Sequence, residues 1–275
     1  MTISREQLDQ WAKEQELDLI GVASPAWYRD VEAQWNPLSI MPEAKAIIVF
    51  AREIPRSYFR GIEEGKLWMR VNRLLAPADA YSLCRRFEDH ASLAVPCSPL
   101  AAQRWPDGLP AQAGKVAPNV TPDIYMAAQL AGLGEIAYNG GFITPQFGIR
   151  QALGMLFTDA DIAADTPFQT GTLCDRDNCQ ACIKACPNQA LTRQTQIRKV
   201  GTQEVKVGIY QEKICRFCSN GCYADTSSDK APPNRLAAAC SRACLSHLED
   251  EGIIKTVFRA PFRRRPPWGF ANFEV

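Results

Sequence analysis

CDRDNCQACIKACP, residues 174–187, spaces four cysteines as C-x4-C-x2-C-x3-C and places a proline directly after the last. Thiolates at such short intervals wrap one loop around an iron–sulfur cube, and in this kind of run the fourth cysteine, the one before proline, ligates a second cluster nearby. Five more cysteines follow, so that Cys174, Cys179, Cys182, Cys186, Cys215, Cys218, Cys222, Cys240 and Cys244 account for nine of the eleven in the chain. Two 4Fe-4S clusters take about eight thiolates, which leaves one spare. The usual interleaving would give the first cluster Cys174, Cys179 and Cys182 with a cysteine from the far end, most simply Cys244. The second would take Cys186, Cys215 and Cys240, with Cys218 or Cys222 as its fourth ligand, and the sequence does not choose between those two. A disulfide framework suits small secreted chains rather than one of 275 residues. Zinc also accepts four thiolates, but the run before proline and the surplus downstream fit two clusters better. Cys84 and Cys97 read as small buried apolar side chains.

Around this segment the chain has room for one good-sized core plus a smaller, metal-stapled module, since 46% of its residues are hydrophobic. Its 31 basic and 30 acidic residues give a net charge of +1, so no global field steers it to nucleic acid or to an anionic membrane. No apolar stretch approaches the roughly 20 residues that span a bilayer. The N-terminal MTISREQLDQW has neither the basic and apolar regions of a secretory leader nor a twin arginine, which leads us to expect a cytoplasmic protein.

Ser4-Arg5-Glu6-Gln7 forms a capping box ahead of Leu8, Trp11, Ala12 and Gln15, which predicts an amphipathic first helix. Residues 17–23 and 46–51 are short apolar runs read as central strands, the second buried on both faces. Residues 66–94 are mostly helical in pattern, broken at Pro77, with Ala80, Leu83, Phe87 and Ala91 on one side; the Pro-rich residues 96–122 read as a loop-dominated connection. A helix over PDIYMAAQLAGLG is stopped by Gly132 and Gly134, and Asn139-Gly140-Gly141 opens FITPQFG before the strand-like ALGMLFTDADI. RKVGTQEVKVGIY alternates apolar and polar residues about Gly201, as a hairpin inserted between the cysteine groups would.

AGLGEIAYNGGFITPQFGIRQALGMLFTDADI, residues 131–162, standing ahead of the cysteine run, resembles the epoxyqueuosine reductase and reductive dehalogenase group of corrinoid iron–sulfur proteins. DLIGVASP after the first helix and MPEAKAIIVFA in the place of the group's next strand extend the likeness over residues 5–250. The resemblance implies an α+β chain with a nitroreductase-like α/β sandwich domain over 1–166, a small two-cluster ferredoxin-like domain over 167–250 and a basic-aromatic tail over 251–275. It also implies a base-off cobalamin between the two domains, against Asn119, Phe142, Ile143, Thr144, Gly148, Gly154 and Arg216. Consistent with a cobalt lacking a histidine ligand, no D-x-H-x-x-G surrounds His90 or His247.

The group's chemistry is reductive: electrons pass through the clusters to cobalt and a nearby acid supplies a proton. Epoxyqueuosine reductases place an Asp ahead of AGLG, where this chain has Pro118-Asn119, with Asp123 and Tyr125 following. Dehalogenases resemble longer exported proteins with a twin-arginine leader and often pair a Tyr with a basic group. Asp123, Tyr125, Tyr138 and Arg150 are therefore the catalytic candidates, by residue type and location. The reading is a reductase of a small organic substrate, a halide, epoxide or alkene, fed by a soluble donor such as ferredoxin or flavodoxin. Two alternatives stand beside it: a protein that reduces or handles a corrinoid for another enzyme, and a cobalamin-free electron-transfer protein holding flavin or nothing. KTVFRAPFRRRPPWGF interleaves basic and aromatic residues as a single-strand RNA contact would, and is read first as a tail folded on its own domain.

Overall fold

The computed structural model describes residues 3–58, 71–97, 120–215, 218, 235 and 238–255, with 71–75 by backbone alone. The expected contributions of Asn119, Arg216, Cys222 and most of the tail lie outside the described residues.

The first helix, α1 (Arg5–Glu14), starts as the capping box predicts: the Ser4 hydroxyl accepts from the amide of Gln7 at 3.2 Å, and Leu8, Trp11 and Ala12 form the buried face. Beside it lies a four-stranded antiparallel sheet in the order β1 (Leu19–Ala23), β2 (Ala46–Glu53), β6 (Gln151–Thr158), β3 (Ala94–Cys97). Residues 17–23 therefore supply an edge strand and not a central one. The two long uninterrupted apolar runs, β2 and β6, take the centre, paired along their length from Ala46–Thr158 to Glu53–Gln151.

Each face of the sheet is covered by helices, and the alternation along β2 sorts its side chains between them. Ile48 and Phe50 join Val22, Leu156, the α1 residues and Ala80, Leu83 and Phe87 of α2 (Val71–Asp89). Ile47, Val49 and Ala51 face the other way, toward Met126, Ala127 and Leu130 of α3 (Ile124–Leu130). Antiparallel pairing with helices on both faces makes a mixed α/β architecture.

Two readings about proline are corrected. Pro77 lies inside α2, not at a break in it. An interior proline costs about 3 kcal/mol; here the packing of Ala76, Ala80, Leu83 and Phe87 on the sheet outweighs it. The helix ends before Ala91, which is exposed with φ +58°. Pro96 is not in a loop but in β3, opposite Leu156. A strand at the sheet edge needs only one ladder of hydrogen bonds, so a residue without an N–H is tolerated there.

Downstream, the short strands β4 (Glu135–Ile136) and β5 (Phe142–Ile143) pair with each other, and the hairpin read between the cysteine groups forms as β7 (Leu191–Val200) and β8 (Gln203–Tyr210) about Gly201. Val200, Val205 and Val207 of this hairpin belong to the same core as α3. The short helices α4 (Ala181–Lys184) and α5 (Glu212–Cys215) carry cysteines, and α6 (Ala239–Asp250) packs Leu245 and Leu248 against Ile143 and Ile149. A buried, paired contact between Arg56 and Glu249, 3.0 and 2.9 Å, pins α6 to the segment after β2. Among the described residues no helix is long and apolar enough to cross a membrane.

Gly154 of β6 faces into this packing, because a Cβ there would stand 2.4 Å from the Phe50 ring and 3.2 Å from Ala76. Gly154→Val should lower stability by about 1–3 kcal/mol through overpacking, measured as an earlier thermal unfolding midpoint. A variant that unfolds like the parent would remove this packing role.

Candidate redox site

The described cysteines of the motif region lie close together: Cys174, Cys182, Cys186 and Cys240 share one apolar cluster, and Cys174 and Cys244 border a second. Burial first, then Cys174, Cys240 and Cys179, push the Cys182 thiol up to about 12, and burial followed by Cys174, Cys182, Cys179 and Cys240 raises Cys244 well above its ordinary value. Burial likewise raises Cys240, Arg235 pulls it down, and Cys186 and Cys215 raise it further, so Cys240 interacts with the sulfurs on both sides of it. Cys218 donates its backbone amide to the carbonyl of Cys215 at 3.0 Å. Crowded, desolvated thiols of this kind release their protons on taking up metal. A single ion would need donors that converge on one point, and among the described residues no three His, Cys, Asp or Glu side chains do so. Cys84 and Cys97 are buried away from this region, with thiols pushed up by burial to about 11 and about 12.

The first cysteine turn is built on Glu135, a side chain wholly closed to solvent. Its Oε1 accepts from the amides of Leu173 at 2.5 Å and Cys174 at 3.1 Å, and its Oε2 accepts from the amide of Gly171 at 2.8 Å and from Arg176 at 2.7 Å. Arg176 donates further to the carbonyls of Cys174, Ile136 and Lys206. Neither residue stood among the sequence candidates, although Arg176 lies inside the cysteine run and Glu135 directly follows AGLG.

Tyr138 sits at the base of the hairpin. Its amide donates to the Cys174 sulfur at 3.4 Å, its hydroxyl donates to the carbonyl of Thr192 at 3.0 Å, and its carbonyl accepts from the amide of Gly208 at 2.7 Å. Its ring covers Gly208 so closely that a Cβ there would be 2.3 Å away. Arg150 is equally engaged: almost fully buried, it donates to Glu53 at 2.5 Å and to the carbonyl of Ile54 at 2.9 Å. Asp123 caps α3, accepting from the amides of Tyr125 and Met126 at 3.0 and 3.2 Å, and pairs with Arg198 of β7.

Tyr125 is placed differently. Half-buried on the first turn of α3, it stacks on Phe142 with ring centroids 5.9 Å apart and planes at 21°. Burial raises its phenol above the ordinary value and the positive charge of Arg235 pulls it back. Arg235 lies 3.9 Å over the Tyr210 ring, and a Cβ on Gly140 would be 3.4 Å from its guanidinium. The basic group acting on Tyr125 is thus Arg235, which no local pattern in the sequence marked.

Of the remaining cofactor candidates, Phe142 and Ile143 form β5, while Thr144 and Gly148 close a turn through paired backbone hydrogen bonds of 2.8 and 2.9 Å. The Thr144 hydroxyl is buried and accepts from the amide of Phe147 at 3.1 Å. Gly148 packs under Leu245 and Leu248.

No protein-family model matches the chain. Over 118 residues it is 33% identical to a tetrachloroethene reductive dehalogenase of Desulfitobacterium hafniense, a match covering 42% of this chain and 21% of that protein. Over 65 residues it is 45% identical to an epoxyqueuosine reductase of Synechococcus sp. (strain RCC307), covering 24% of this chain and 19% of the relative. The chain spans about a fifth of the length of these curated relatives. A solved catabolic reductive dehalogenase superposes with a TM-score of 0.56 at 16% identity, over 90% of this chain and 35% of that one. A second, described as suggesting a mechanism for B12-dependent dehalogenation, gives 0.56 at 16% over 86% and 31%. At such identities the likeness is one of fold. The resemblance read from AGLG and the cysteine run therefore holds: the chain is similar in sequence to reductive dehalogenases and epoxyqueuosine reductases, which are oxidoreductases, and has the fold of the former.

Proposed function

We propose that the chain is a corrinoid-dependent iron–sulfur reductase of a small organic substrate, organised as a nitroreductase-like domain over 1–166 and a two-cluster ferredoxin-like domain over 167–250. The observation that supports this reading is the gathering of Cys174, Cys182, Cys186 and Cys240 in one apolar cluster, with Cys244 acted on by its sulfurs and with Arg235 acting on both Cys240 and Tyr125. Cys174, Cys179, Cys182 and Cys244 would hold one 4Fe-4S cluster; Cys186, Cys215 and Cys240 would hold the other, with Cys218 or Cys222. β5 and the turn from Thr144 to Gly148 would wall a base-off cobalamin. When bound, these groups supply an electron relay and a reactive cobalt.

The chain's own residues hold the substrate and the proton. Tyr125 is the proton donor in this reading: its phenol is kept protonated by burial, and the Arg235 guanidinium stabilises the phenolate left behind. Phe142 fixes the ring by stacking. Asp123 and Arg198 hold the first turn of α3, and with it the Tyr125 backbone. Tyr138 and Arg150 act as supports, since their polar atoms are committed to Thr192 and Glu53. A reduced compartment and a soluble donor such as ferredoxin or flavodoxin complete the reading.

Protein prepared anaerobically with cobalamin should contain about eight irons and one cobalt per chain, with a base-off absorption spectrum. About eight irons without cobalt would move the protein to the cobalamin-free electron-transfer reading. Cys182→Ser should cost about four of those irons; a full complement would overturn the ligand assignment. Tyr125→Phe should slow turnover by about 10²–10⁴-fold with iron and cobalt retained. Tyr138→Phe should leave the chemical step alone and lower stability by about 1 kcal/mol, so the reverse pattern in the two variants would exchange their roles.

A further inference from the structure

A buried ion pair is weak evidence for stability, because replacing it by well-packed apolar side chains is often neutral or favourable. Glu135 and Arg176 form such a pair, with side chains 0% and 7% exposed, directly at the first cysteine of the motif. Four donors converge on the carboxylate, from Gly171, Leu173, Cys174 and Arg176. Arg176 fills its remaining directions with the carbonyls of Cys174, Ile136 and Lys206. The segment wrapped in this way ends at the Cys174 sulfur, which also accepts from the Tyr138 amide.

Glu135 also belongs to β4, whose partner β5 carries Phe142 beneath Tyr125. One carboxylate thus joins the β4–β5 pair, in which β5 is proposed above to wall the corrinoid, to the turn that leads into the first cysteine. A turn alone could be closed by backbone hydrogen bonds or by an uncharged amide, so closing it with a charge places a field where an electron would arrive.

We infer that Glu135 is a positioning residue for the cluster ligated by Cys174, holding that ligand against the β4–β5 pair, and that the Glu135–Arg176 pair sets the cluster's reduction potential. The inference rests on the cluster reading above. Reduction adds negative charge to a cluster, and local charge and hydrogen bonding to the sulfurs tune its potential. A carboxylate beside it opposes reduction and a guanidinium favours it.

The test is an EPR-monitored redox titration with iron analysis on the anaerobically prepared full chain, for the parent, Glu135→Gln and Arg176→Gln. Glu135→Gln leaves Arg176 uncompensated and should move one cluster's potential to more positive values, the other moving less. Arg176→Gln should move the same cluster the opposite way. A purely structural role would lower iron content without opposed shifts. Unchanged potentials at full iron content, or shifts of the same sign in both variants, overturn the inference. If Glu135→Gln loses all its iron, Arg176→Gln decides: a shift to more negative values supports the inference, and no shift or a positive one overturns it. A parent chain that takes up no iron would sink the cluster reading, and this inference with it; a parent with full iron and unmoved variants would sink this inference alone.

Discussion

A carboxylate sealed from water must find a donor for each of its oxygens or lose several kcal/mol in desolvation, and Glu135 finds four: three backbone amides of residues 171–174 and the Arg176 guanidinium. That cage governs how the chain enters its cysteine-rich part. It converts residues 171–174, which have no secondary structure to satisfy their amides, into an ordered approach to Cys174. It also fastens this approach to β4, so the cysteine-rich part cannot shift relative to the glycine-rich core without breaking several charge-assisted hydrogen bonds at once.

The hairpin β7–β8 is tied down by a second set of contacts, of a different kind. Its apolar residues Val200, Val205 and Val207 enter the core under the sheet, Gly208 accepts the ring of Tyr138 at close range, and Arg198 reaches the cap of α3. The hairpin is therefore a strut between the cysteine turns and the helix that bears Tyr125. At the far end of the chain, α6 is held by Leu245 and Leu248 in an apolar cluster and by Glu249 on Arg56. The same helix carries Cys240 and Cys244, and its rigid spacing sets how the one thiol acts on the other.

Around Tyr125 the structure separates residues that look alike in sequence. Tyr125 and Tyr138 are both tyrosines flanking AGLG, yet the hydroxyl of Tyr138 is spent on a backbone carbonyl while the phenol of Tyr125 feels the charge of Arg235. Arg150 and Arg235 are both arginines downstream of them, yet Arg150 is locked beneath the sheet edge by Glu53 and Arg235 lies over Tyr210 beside Gly140. Which of each pair can act on a bound molecule is decided by what surrounds it.

Much of this protein was legible in its sequence wherever the signal is local. The first helix carries its cap and its apolar face within a dozen residues, β2 announces double burial by an unbroken apolar run, and the hairpin alternates about Gly201. The edge position of β1, the strand at Pro96, the helix through Pro77, the Glu135–Arg176 cage and the action of Arg235 on the Tyr125 phenol were decided only by the tertiary structure. Each depends on which segments lie side by side across separations of tens of residues. Periodicity and spacing report what one segment wants to bury or bind, whereas the neighbour that satisfies it is chosen by packing.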